Sequence, residues 1–128
     1  MKRILAVCLM VTPAWAAPVT VPSGQPVEFV ELVKDVPGVA GVTWRFRFVA
    51  PQISREGGTV PLDAVAGDMD ALCEGFVLPH LADIEQVPDQ VIISLADRAV
   101  GFGVADPDST QFFEAYRVEN THCIWEGF

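Results

Sequence analysis

The sequence has 128 residues, 51% of them hydrophobic, with 17 acidic side chains against 8 basic ones and a formal net charge of −9. That length holds one ordinary domain, and the acid surplus argues against nucleic-acid binding, which needs basic surface to neutralise phosphates. The charges are spread among apolar residues rather than gathered into a tail, which excludes a disordered chain and leaves solubility, a basic partner or divalent cations as the uses of an acidic surface.

At the front, Lys2 and Arg3 precede an apolar run from Ile4 to Val11 and the small-residue stretch Pro13-Ala14-Trp15-Ala16-Ala17. That order is the signature of a cleavable secretory signal, and Ala14 and Ala16 form an A-x-A site that predicts cleavage after Ala16, with Ala17 as second choice. The run is far shorter than the roughly 18 to 20 residues a membrane-spanning helix needs. Leu5-Ala6-Val7-Cys8 resembles a lipobox only loosely, since Val7 is too large and Cys8 comes too early. Residues 1–16 are therefore read as a signal peptide and 17–128 as a single domain. Its 112 residues carry six basic and seventeen acidic side chains, a net charge of −11, with no second segment long enough to span a membrane. The predicted location is the periplasm or the exterior.

Cleavage removes Cys8 and leaves Cys73 and Cys123, and an even number of cysteines in an exported chain usually bonds. Closing the segment between them is worth about 4 kcal/mol in the chain-entropy model, against a net stability of about 5–15 kcal/mol for a small domain. A redox-active pair fits poorly, because catalytic dithiols commonly take the form C-x-x-C.

The domain opens with a Pro- and Gly-containing arm, 17–26. Val27, Phe29 and Val33, mixed with Glu28 and Glu31, suggest an edge strand whose register the pattern leaves open. Pro37, Gly38 and Gly41 mark a turn. From Val42 to Val49, Val42, Trp44, Phe46 and Phe48 alternate with Thr43, Arg45, Arg47 and Val49, which predicts a strand with one aromatic face and one face bearing arginines. After the turn-rich 51–61, Leu62, Val65, Met69, Leu72, Cys73 and Phe76 follow helical spacing, with Asp63, Asp68, Asp70 and Glu74 mainly on the solvent side. Pro79 is expected to end or kink this helix, with a short further turn from His80 to Ile84. Val91-Ile92-Ile93-Ser94-Leu95 reads as a central strand.

In the last third, Asp106-Pro107-Asp108-Ser109-Thr110 suits either a helix cap or a turn before a strand, and Gln111–Val118 shows both periods. A hairpin is preferred, Phe112–Glu119 pairing across Asn120-Thr121 with His122–Trp125. The resulting expectation is a two-layer α+β domain: one main helix packed on a mostly antiparallel sheet of about four to five strands, with the disulfide pinning helix to sheet.

No catalytic signature is present. His80 and His122 are too few for an ordinary zinc centre and form no motif. Asp106 and Asp108, with Ser109 and Thr110, offer closely spaced oxygens to a hard cation but lack the glycine and distal glutamate of an EF-hand loop, so turn chemistry is the plainer explanation. Asp68, Asp70 and Glu74 read as a solvated face rather than an acid/base pair. Ser54, Ser94 and Ser109 lie in no G-x-S-x-G elbow, and Arg55-Glu56-Gly57-Gly58 lacks the lysine of a phosphate loop. No cofactor is implied. The feature that stands out is the pair Arg45 and Arg47, with Arg55 and Arg98 as further members of an anion-binding set, since guanidinium groups grip carboxylates and phosphates with two prongs. The plainer explanation is pairing with the chain's own surplus of acids.

The segments Arg45-Phe46-Arg47-Phe48-Val49-Ala50-Pro51-Gln52-Ile53, Val91-Ile92-Ile93-Ser94-Leu95-Ala96-Asp97-Arg98, Thr110-Gln111-Phe112-Phe113-Glu114-Ala115-Tyr116-Arg117 and Cys123-Ile124-Trp125-Glu126-Gly127-Phe128 resemble a family of small exported bacterial proteins of unknown function. The likeness spans nearly all of the mature chain and brings no activity or catalytic residues. Some members carry an acetolactate synthase label, which does not fit: thiamine-diphosphate synthases are multi-domain enzymes with a G-D-G…N-N motif that is missing here. The function expected is a periplasmic binding or protein-interaction module for an unknown protein or a small anionic ligand. The alternatives are a small periplasmic hydrolase and a divalent-ion binder at Asp106 and Asp108.

Overall fold

The computed structural model describes residues 17–36 and 41–127, so the expected signal peptide lies outside the described residues. The described chain forms six strands in one sheet, ordered as they occur in sequence: β1 (Ala17–Val19), β2 (Val27–Val36), β3 (Thr43–Val49), β4 (Gln90–Ala96), β5 (Gln111–Glu119) and β6 (His122–Trp125). All neighbours are antiparallel except β3 and β4, which run parallel from Thr43↔Gln90 to Val49↔Ala96. A parallel pair needs a crossover, and the helix supplies it.

The expected two-layer α+β arrangement of four to five strands is corrected by this structure. The molecule is mostly sheet, a mixed six-stranded half-barrel that curls around one helix of 23 residues. Two sequence features hid the difference. β1 has three residues, too few to display a period, within an arm rich in Pro and Gly. β2 extends to Val36 rather than Val33, and its pairing with β3 slips between Phe29 and Glu31 and again between Val33 and Val36. Such bulges break the period of two that reveals a strand, while bending it in the way a curled sheet requires.

β3 follows its alternation: Trp44, Phe46 and Phe48 are buried on the helix side. They pack with Val91, Ile93, Leu95 and Tyr116 of the neighbouring strands against Val65, Met69, Leu72, Val77 and Leu81 of the helix, each 5% exposed or less. Burying side chains of this size stabilises by about 1.5–3 kcal/mol apiece. β5 and β6 form the expected hairpin, and Asn120 and Thr121 both adopt positive φ, as a two-residue turn of matching twist demands.

The helix runs as α1 (Leu62–Leu72), a π-helical stretch (Cys73–Val77) and α2 (Leu78–Ile84). Pro79 thus sits just inside α2 instead of ending the helix. Proline lacks an N–H and its ring crowds the carbonyl four residues back, and the wider π turn before it accommodates both effects. Cys73 begins that stretch and is bonded to Cys123 of β6, 50 residues away, as the cysteine count implied.

Of the acids placed mainly on the solvent side by spacing, Asp70 and Glu74 are exposed as expected and Asp68 is not, and all three cross-link the helix to distant segments. Asp68 is fully buried and accepts hydrogen bonds from the Ser23 N–H (2.9 Å), the Ser23 hydroxyl and the Gln25 side-chain amide (2.7 Å), which hold the arm between β1 and β2 against α1. Asp70 accepts from the Tyr116 hydroxyl of β5 at 2.6 Å, and Glu74 accepts from the Cys123 N–H of β6 at 3.0 Å. Burial, reinforced by the Asp70 carboxylate, pushes the Tyr116 phenol well above its usual range. Among the described residues, no helix is long and apolar enough to cross a membrane.

Candidate functional site

Because β3 alternates, the residues between its aromatics face away from the helix, and the parallel register carries that face across the sheet. Arg45 lies beside Ile92, and Arg47 beside Ser94. On the next strand Ile92 pairs with Ala115 and Ser94 with Phe113. Arg45, Arg47, Ser94, Gln111 and Phe113 therefore share one open face.

The connection 97–110 folds back over this face. A turn at Gly101–Val104, closed by the Val104 N–H on the Gly101 carbonyl at 3.0 Å and opened by positive φ at Gly103, presents Phe102 to the arginines. The Arg45 guanidinium carbon lies 5.2 Å from the ring centroids of both Phe102 and Phe113, and that of Arg47 lies 5.8 Å from Phe102. A cation between two phenyl faces gains about 0.5–2 kcal/mol for each contact, more as water is excluded.

The two guanidiniums differ in their partners. Arg47 donates to the Glu31 carboxylate of β2 and to the Val100 carbonyl of the folded-back connection. Arg45 is half-buried; its Nε is buried with no hydrogen-bond partner, and no carboxylate pairs with it among the described residues. Burial, aided by the like charge of Arg47, holds the Arg45 guanidinium below its usual pKa, because both disfavour the cation. Around it are two depressions. One of about 140 Å³ is lined by Arg45, Arg47, Ser94, Phe102 and Gln111; the other, of about 380 Å³, is lined by Arg45, Ile92, Gln111 and Phe113. Arg45, Gln111 and Phe113 border both.

The other two arginines of the expected set stand elsewhere. Arg55 donates to the carbonyls of Pro107 (3.0 Å) and Ser109 (3.2 Å), and Arg98 pairs with Asp97 at 3.1 Å. Asp97 itself is buried and accepts the Thr110 N–H at 3.0 Å. Burial alone would raise its pKa, but the Arg98 and Thr110 hydrogen bonds outweigh that and hold the carboxyl below the usual carboxylate range. These groups tie the two ends of the connection together at its base.

Asp106 and Asp108 form a turn, with the Asp108 N–H on the Asp106 carboxylate at 3.0 Å, and no group of three or more metal-ligating side chains occurs among the described residues. His80 packs edge-on against Phe46 at 5.7 Å, on the opposite side of the sheet from Ser94, and His122 is exposed on β6. The guanidinium and amide donors on this face suit an anion, and among the described residues neither histidine stands beside Ser94. Sequence reasoning passed over Phe102, Phe113 and Gln111. The available signal was an aromatic flanked by glycines, Gly101-Phe102-Gly103, in a connection that carries binding residues.

Compared with known proteins, the chain matches over residues 6–128 the model of a family described as a family of unknown function (DUF6497). No curated protein and no solved structure matches it.

Proposed function

The chain belongs to that family of unknown function, and we propose that it serves as an exported binding module that holds a small anion on the open face of its sheet at Arg45. One observation carries the reading: a half-buried guanidinium, flanked by two phenyl rings and another arginine, pairs with no carboxylate among the described residues, in a chain with a surplus of acids. Burying a charge without a counter-charge costs stability, and an anion docked there would offset that cost through charge-assisted hydrogen bonds. Export is supported by the charged-apolar-small order of the first sixteen residues and by the Cys73–Cys123 bond, which suits an oxidising compartment.

Ligands that bind only the folded state raise its melting temperature. At constant ionic strength, replacing chloride by acetate should raise the melting temperature of the wild-type protein and leave Arg45→Met unmoved; an equal rise in both overturns the site. Export is tested by mass spectrometry of protein from its native host, which should find Ala17 or Pro18 as the first residue. Retention of Met1 would refute it.

A further inference from the structure

The geometry points to a short aliphatic carboxylate as the ligand, an inference that rests on the anion site at Arg45 and adds to it the nature of the ligand's body. The two depressions on the open face are contiguous through Arg45, Gln111 and Phe113 and differ in chemistry. The smaller, of about 140 Å³, gathers guanidinium, hydroxyl and amide groups and has room for a single small head. The larger, of about 380 Å³, is floored by Ile92 and walled by Phe113, and falls at the lower end of the ~300–1,000 Å³ typical of small-molecule sites. A molecule spanning both needs a charged end and an apolar end.

Charge narrows the head. Arg47 is already paired with Glu31, so among the described residues the site offers one uncompensated positive charge, at Arg45. A monoanion neutralises it, whereas a dianionic phosphate would leave a negative charge on the side of Arg47 that already carries the Glu31 carboxylate, a repulsive pairing. A planar carboxylate also matches the fork of a guanidinium. The apolar wall then takes the chain: each methylene buried there tightens binding by about fourfold.

Acetate, hexanoate and hexanol can be titrated into the wild-type protein while the Arg45 Nε–H resonance is followed by NMR. Hexanoate should bind at least about tenfold more tightly than acetate, since it adds four methylenes. Hexanol, which has the chain without the charge, should leave the resonance unmoved, and Phe113→Ala should bring hexanoate down toward acetate. Equal affinities for acetate and hexanoate, both lost in Arg45→Met, would overturn the aliphatic ligand and leave the anion site standing. If neither carboxylate moves the resonance, or if calorimetry finds hexanoate bound undiminished by Arg45→Met, the anion site falls as well.

Discussion

On the helix side of the sheet, Asp68, Asp70 and Glu74 each accept a hydrogen bond that ties a distant segment to the helix, whereas on the open side Arg45 lies between two phenyl rings with no paired carboxylate among the described residues. The first set shows charge used as a fastening. The second shows charge kept where the fold gains little from it, as the proposed anion site requires. If that difference is real, removing a charge from one face should have the opposite sign of effect from removing one on the other.

The largest expected loss comes from the covalent fastening. Replacing Cys73 and Cys123 together by Ser should cost about 4 kcal/mol in urea unfolding, because a 50-residue separation is released in the unfolded chain; an unchanged midpoint would remove the bond from the list of fastenings. Next, Asp68→Ala should destabilise by about 2–3 kcal/mol, since the buried Gln25 amide loses its acceptor. A loss no larger than an exposed substitution gives would place Asp68 with the solvated acids the sequence suggests. Arg45→Met should reverse the sign and raise stability by about 1 kcal/mol in the absence of added anion, because removing an uncompensated charge relieves its burial. A clear fall instead would mean that stacking on Phe102 and Phe113 outweighs desolvation, and the contrast between the faces would vanish.

The smallest effect is a pH dependence. Asp97 has a folded pKa below its unfolded value, so its contribution is complete above about 3.9, the ordinary Asp value, and is lost as pH falls through the lower folded value. Acid titrations of the wild type and Asp97→Asn should diverge above that window and converge below it. Parallel curves would show that Asp97 does not fasten the base of the 97–110 connection.

Much of this contrast was open to reading along the chain. The alternation of Trp44, Phe46 and Phe48 with Arg45 and Arg47 identifies both faces of β3, because aromatic and charged residues make period two unmistakable. The helix start at Leu62, the β5–β6 hairpin and the cysteine pair follow from equally local signals. Strand number did not, since β1 is too short to carry a pattern and the bulges in β2 break one. Asp68 was misplaced because helical spacing fixes a direction, whereas the Ser23–Gln25 arm that covers it arrives from 45 residues away. In the same way, Arg55 and Arg98 look equivalent to Arg45 in sequence; only the path of the 97–110 connection separates the arginines that fasten its base from the one beneath its tip.

The parallel pairing of β3 with β4 joins two local meanders, one ending at Val49 and the other beginning at Gln90. Hairpins close quickly, while a parallel seam bridging some forty intervening residues must wait for a longer loop to close. Arg45 and Arg47 come from the first meander; Ser94, Phe102 and Phe113 come from the second. The face around Arg45 is therefore assembled only when the seam zips shut, so the proposed anion site exists only in the completed sheet and in neither meander alone.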